Sequence, residues 1–203
     1  MRYRTHDHRH AQNLFLTDPR FTPLFNEIVE VLDGISDEDL IAKYNLNTRE
    51  NKKSLSETIN ALLREELQTR GWQAESAIFS DPSYASARDN KRWRLDFAKD
   101  EISIEVAFNH GEAIAWNLIK PVLASELNHV AKEIQTSAGV IICATESMKK
   151  AGNFDGAVGT FEKFLRYLAP MQNMLPTPIL IIGLDAPESF HVDKTTKQIV
   201  RHT

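Results

Sequence analysis

Arg94-Leu95-Asp96-Phe97-Ala98-Lys99-Asp100-Glu101-Ile102-Ser103-Ile104-Glu105-Val106-Ala107-Phe108-Asn109 is where the hydrophobic period of the chain changes to two. Leu95 and Phe97 alternate with Asp96, and the polar break Lys99–Glu101 precedes a second alternating run. There Ile102, Ile104, Val106 and Phe108 share one face, and Ser103, Glu105, Ala107 and Asn109 share the other. Two such runs about a short turn predict an antiparallel hairpin. Asp96 and Glu105 then lie across from one another, with opposed Cβ atoms about 5 Å apart. Two carboxylates that close repel unless a cation sits between them. A hard ion such as Mg²⁺ takes oxygen ligands, so two carboxylates, a main-chain carbonyl and waters suit it. A metal held there polarises a phosphoryl oxygen and supplies a hydroxide for in-line attack. An acidic residue on a strand is more often merely solvated. The apolar neighbours of Glu105, and Arg92 and Arg94 just upstream, argue for the metal.

Outward from the hairpin, the periods lengthen. Thr22-Pro23 reads as an N-cap followed by proline at the first helical position, with Leu24, Phe25, Ile28, Val29 and Leu32 at helical spacing and Gly34 as the stop. Residues 36–53 read as a loop or short helix. Ser54-Leu55-Ser56-Glu57 reads as a capping box opening a helix with Leu55, Ile59, Leu62, Leu63 and Leu67 on one stripe, ended by Gly71. Segment 73–91 reads largely as loop, with an edge strand near Ala77-Ile78-Phe79. A helical stretch is expected over about 112–133, bent or restarted at Pro121. Gly139–Ala144 and Pro178–Leu184 are continuous apolar runs, the mark of strands buried on both faces. Between them a glycine-rich loop, 151–159, leads to a helix carrying Phe161, Phe164, Leu165 and Leu168. Helices, then a hairpin, then strand–helix–strand units predict an α/β fold, a mixed central sheet flanked by helices.

The 203 residues fit one domain, 1–203, with a sizeable core. No apolar run reaches the roughly 20 residues that span a bilayer, and the charged opening Met1–His10 lacks the apolar segment of a secretory signal. The lone Cys143 falls in an apolar run, as a small buried thiol does. A cytoplasmic protein is expected. His6, His8 and His10 are spaced for alternate positions of a strand and would allow a metal-binding tract; a loosely ordered terminus is the expectation. The formal net charge of −4 by itself favours a small-molecule enzyme over a nucleic-acid binder. DNA binding must therefore rest on local placement of charge.

Leu95-Asp96-Phe97-Ala98-Lys99-Asp100 followed by Ile104-Glu105-Val106-Ala107-Phe108 resembles the active-site hairpin of the BglII/BstYI family of type II restriction endonucleases, within the PD-(D/E)xK nuclease superfamily. The resemblance extends upstream through Leu62–Trp72 and downstream through Val140–Thr145 and Ile179–Leu184, from about residue 15 to 187. It implies a restriction-endonuclease-like core, with Asp96 as the metal-bridging aspartate, Glu105 as the second metal-binding carboxylate and the Val106 carbonyl as a further ligand. Two positions after Glu105, where the superfamily usually has lysine and this family tolerates glutamine or glutamate, stands Ala107. Three explanations stand open: carbonyls and waters suffice, a residue such as His110 or Glu57 substitutes, or the protein cuts weakly or not at all. Glu57 equally fits its capping role.

The resemblance also implies that Asn109, His110 and the loop Thr145–Gly156 face the major groove. Asn pairs with the adenine edge and Lys with that of guanine, so Lys149, Lys150 and Asn153 are candidates for base or phosphate contacts, or alternatively solvated turn residues. The apolar helix about Trp116 is core or dimer interface; a palindrome read by one small subunit calls for a two-fold homodimer. The expectation is a Mg²⁺-dependent type II restriction endonuclease acting on double-stranded DNA. A non-cutting, sequence-specific DNA-binding protein and a repair nuclease of the same fold are the alternatives.

Overall fold

In chain order the elements are β1 (Tyr3–His8), α1 (Ala11–Thr17), α2 (Thr22–Gly34), α3 (Asp37–Leu46), α4 (Ser56–Thr69), β2 (Gln73–Ala77), β3 (Arg94–Lys99), β4 (Ile102–Val106), α5 (Ile114–Ser125), β5 (Ala138–Ala144), α6 (Glu146–Ala151), α7 (Phe161–Met171), β6 (Ile179–Leu184), β7 (Phe190–Val192) and β8 (Ile199–Arg201). The structure, a computed structural model, describes residues 1–46, 54–81, 93–126 and 129–202. Arg92, Pro82-Ser83 and the end of the 36–53 segment lie outside the described residues.

Six strands make one mixed sheet in the order β1-β6-β5-β4-β3-β2. The centre, β4–β5–β6, is parallel, and antiparallel pairs flank it. β4, β5 and β6 are buried along their whole length, because helices cover both faces. On one face α1–α4 deliver Phe15, Leu24, Ile28, Leu32, Ile59 and Leu63 onto Ile104, Val140 and Ile182. On the other, Ile114 and Leu118 of α5 and Phe161 and Phe164 of α7 pack on Ile141, Cys143 and Ile181. This is the expected α/β architecture.

The hairpin forms as its alternation predicts, with Phe97 opposite Ile104 and Lys99 opposite Ile102. Asp100 turns it in a left-handed conformation, φ 45°, which aspartate tolerates better than most side chains. Lys99 braces the turn: its ammonium donates to both Glu27 oxygens at 2.8 Å and to the Arg70 carbonyl at 2.6 Å. Gly71, with φ +83°, ends the α4 region as expected.

Several local expectations are corrected. The N-terminus is an edge strand: β1 pairs with β6 from Tyr3–Leu184 to His8–Ile179, and the buried His8 lies 2.8 Å from the Leu175 carbonyl. Thr22 lies inside α2, flanked by Phe21, and its hydroxyl donates back to the Asp18 carbonyl. The capping box is absent. Leu55 flanks α4, fully buried, with its N–H on the Gly152 carbonyl, while Ser54 bonds Ser56. β2 starts at Gln73, earlier and more polar than expected, while α3 agrees with the short-helix reading of segment 36–53. α5 keeps Pro121 within it and stops at Ser125 rather than near 133.

Candidate active site

Continuing the β3–β4 register by one pair sets Asp96 against Glu105. Asp96 Oδ2 accepts the Val106 main-chain N–H at 2.7 Å, which fixes that carboxylate to the neighbouring strand. Glu105 is 1% exposed. The polar face expected for β4 is thus enclosed, because α5 lies across it.

From α5, Lys120 reaches Glu105. Its ammonium forms an ion pair with Oε2, with side chains 8% and 1% exposed, and donates to the Arg94 carbonyl at 3.0 Å. Glu105 Oε1, equally buried, has no hydrogen-bond partner among the described residues. Burial pushes the Glu105 carboxyl up to about 8, reinforced by the charge of Asp96 and opposed by Lys120. Burial raises Asp96 as well, against the pull of Lys120 and the Val106 N–H.

Glu75 completes the surroundings. It stands at the gap in the β2–β3 ladder opposite Asp96, with φ 54°, and pairs with Arg64 at 2.8 Å. A left-handed glutamate inside a strand is strained backbone of the kind that gathers near functional sites. Glu75, Ser76, Arg94 and Glu133 line a cleft of about 620 Å³ along this edge.

Among the described residues no cluster of three or more His, Cys, Asp and Glu side chains gathers for a metal. Two carboxylates with a buried free oxygen, a nearby main-chain carbonyl and water fit Mg²⁺, which keeps several waters and needs few protein ligands. The Val106 carbonyl accepts a long bond, 3.3 Å, from the Phe108 N–H and retains a lone pair.

The other sequence candidates gather elsewhere. His110 lies 3.9 Å from Asp155, both largely exposed. Gly111 N–H donates to the Ala157 carbonyl and Gly159 N–H to that of Asn109, so the turn after β4 is stitched to the 155–159 loop. Phe108 meets Phe154 edge to face at 5.3 Å beneath them. Asn109, His110 and Lys150 are exposed; Lys149 is half-buried beside Glu146 at 3.7 Å. Asn153, in a left-handed conformation, lines a second cleft of about 410 Å³ with Glu57, Asp155 and Lys197. Neither Asp96 nor Glu105 lines the cleft that holds Glu57. Trp116 packs edge to face on Trp93 at 5.4 Å.

Sequence reasoning missed Lys120 and Glu75. The signal for Lys120 was present, since it is the one charged residue in α5. The left-handed backbone at Glu75 left no trace in residue type.

Residues 3–184 match the family described as restriction endonuclease BglII/BglIII. The class is therefore that of type II site-specific deoxyribonucleases. In particular, the chain belongs to the BglII/BglIII restriction endonuclease family. Among solved structures it is similar to restriction endonuclease BglII complexed with a DNA 16-mer, at 19% identity and TM-score 0.66, covering 99% of this chain and 88% of that one. It is also similar to free BglII, at 15% identity and TM-score 0.54, covering 99% and 91%. At such identities the likeness shows the fold. No curated protein sequence matches the chain.

Proposed function

We propose that this chain, as a single domain, hydrolyses phosphodiester bonds at a short palindromic site in double-stranded DNA, with Mg²⁺, as a cytoplasmic homodimer. The observation that carries the reading is the carboxylate pair itself. Asp96 is tied to the Val106 N–H and Glu105 is buried with Oε1 unpartnered, so two buried carboxylates share the single charge of Lys120 and a further cation would offset the other.

In this reading Asp96 and Glu105 hold the metal and the Val106 carbonyl adds a main-chain ligand. Mg²⁺, when bound, neutralises charge building on the phosphoryl oxygens and acidifies a water. The protein's own part is to keep both carboxylates fixed before DNA arrives, so that little reorganisation is needed at the moment of attack. Asn109 and His110 on the stitched turn, Asn153 just past α6, and Lys149 and Lys150 on α6 supply base and phosphate contacts. A two-fold dimer presents two such sites to the two strands of a palindrome.

Plasmid DNA incubated with the purified protein and Mg²⁺ is expected to give discrete bands. These vanish with EDTA, and Asp96→Ala or Glu105→Ala lowers the rate at least 100-fold. Full cutting by Glu105→Ala would overturn the site. The second reading, specific DNA binding without cutting, draws on Ala107, which is buried against Ile114 and Leu118 and carries no functional group. It predicts a shifted duplex in a gel and no product at any Mg²⁺ concentration.

A further inference from the structure

Buried lysines are rare, and taking an ammonium out of water costs several kcal/mol unless it is well paired. Lys120 is 7% exposed, on a helix whose neighbouring positions Ile114, Leu118 and Ala124 serve the core. Nothing in the packing of α5 needs a charge there. The side chain nevertheless crosses β4 to reach Glu105 Oε2 and the carbonyl of Arg94 on β3.

The approach is prepared by the backbone. A Cβ on Gly139 would lie 2.5 Å from Pro121 Cβ and 2.9 Å from Cγ, so only glycine lets α5 lie this close to the sheet. Pro121 is the next residue after Lys120, and its seat on Gly139 sets where the lysine departs from the helix. Two positions after Glu105, just past the end of β4, the chain offers only the methyl of Ala107, in the apolar cluster that also holds Ile114 and Leu118 of α5.

We propose that Lys120 is a positioning residue of this site. Tethered to the Arg94 carbonyl, its ammonium holds Glu105 through Oε2, leaves Oε1 to the metal, and offsets one of the two carboxylate charges. The proposal rests on the reading of Asp96 and Glu105 as metal-binding carboxylates. It differs from that reading in placing a fixed cation, brought by a helix, beside the exchangeable one.

Lys120→Met keeps the stem and removes the charge; Lys120→Arg keeps a charge; Lys120→Gln keeps a donor and is used if the Met variant does not fold. Three quantities are read for each: the single-turnover cleavage rate at saturating Mg²⁺, duplex affinity by gel shift in EDTA, and the rise in melting temperature on adding Mg²⁺ without DNA. A positioning role predicts that Lys120→Met cuts at least tenfold more slowly while holding the duplex within threefold of wild type. Lys120→Arg should recover part of the rate. The metal-free Lys120→Met protein should melt lower, and Mg²⁺ should raise its melting temperature more than it raises that of wild type, because the metal alone then neutralises both carboxylates. A lysine that only packs the core would lower stability and leave the Mg²⁺-induced rise unchanged, and that result overturns the proposal. So does a rate within tenfold of wild type, or a loss of rate matched by loss of duplex affinity. Glu105→Ala keeps the two failures apart. An inactive Glu105→Ala beside a fully active Lys120→Met sinks only the role of Lys120, whereas a fully active Glu105→Ala sinks the metal site.

Discussion

Glu105 is the buried carboxylate of the proposed site whose titration is most displaced. Its carboxyl is pushed up to about 8, first by burial and then by the charge of Asp96. An acid held above its unfolded value binds its proton more tightly when folded. The stability this contributes is therefore full below the unfolded value near 4.5 and is lost as pH rises toward 8. In EDTA the wild-type protein should lose on the order of a few kcal/mol across that window. Glu105→Gln should show a much flatter profile in denaturant titrations at a series of pH values. Equal slopes in the two proteins would contradict the assignment. Because a cation displaces the proton, Mg²⁺ should stabilise wild type more at pH 8 than at pH 6. At this scale the sequence was partly legible. Alternation alone set Asp96 across from Glu105, and the register agrees. Lys120 comes from a helix, and no spacing rule measures the distance from a helix to a strand packed beneath it.

Elements differ in how plainly they announce themselves. β5 and β6 are unbroken apolar runs because helices cover both their faces, and both were readable. β1 and β2 are the two edges of the sheet. An edge strand needs one backbone partner and little apolar surface, so His6 and Asp7, or Gln73 and Glu75, look like loop in isolation. The far end of α5 was overextended because the residues beyond Ser125 are apolar enough to continue a helix. Instead Phe79 forms a bridge with Lys132, and the Lys132 ammonium lies over the Phe79 ring at 4.7 Å. The contact of α5 with β5 gives the test at this scale. Pro121 is a rigid ring and the strand beneath it is central, so neither yields easily to a methyl group on Gly139. Gly139→Ala should cost roughly 1–3 kcal/mol by overpacking. It should also slow cleavage by shifting α5, and with it the ammonium of Lys120. Calorimetric melting and cleavage rates on the same preparation check both effects, and an unchanged melting temperature would show that the helix has room to move.

For the whole molecule, composition and fold point in different directions. A net charge of −4 argues against a protein that coats nucleic acid, yet the family acts on DNA. In the proposed reading the sum misleads, because carboxylates that would hold a metal count against DNA binding until a cation offsets them. The fold also extends past the matched residues 3–184, and that extension is anchored rather than loose. β7 and β8 form a two-stranded hairpin, and Phe190 and Val192 are buried in the main core at 0% and 1% exposure. Asp37 Oδ2, on α3, accepts from the Glu188 and Ser189 main-chain N–H groups and from the Ser189 hydroxyl. Tyr44 donates to the Lys197 carbonyl, and Arg201 grips both oxygens of Glu38. The exposed Arg201–Glu38 pair adds little. The two apolar side chains matter more, each worth about 1.5–3 kcal/mol when fully buried. Ending the chain at Pro187 therefore removes roughly 3–6 kcal/mol before Asp37 is counted, a large share of the 5–15 kcal/mol typical of a folded domain. At about 2–4 °C per kcal/mol for this size, the melting temperature should fall by roughly 6 °C or more, followed by circular dichroism. A fall of under about 2 °C would mean that the hairpin merely rests on α3, and that the core closes without Phe190.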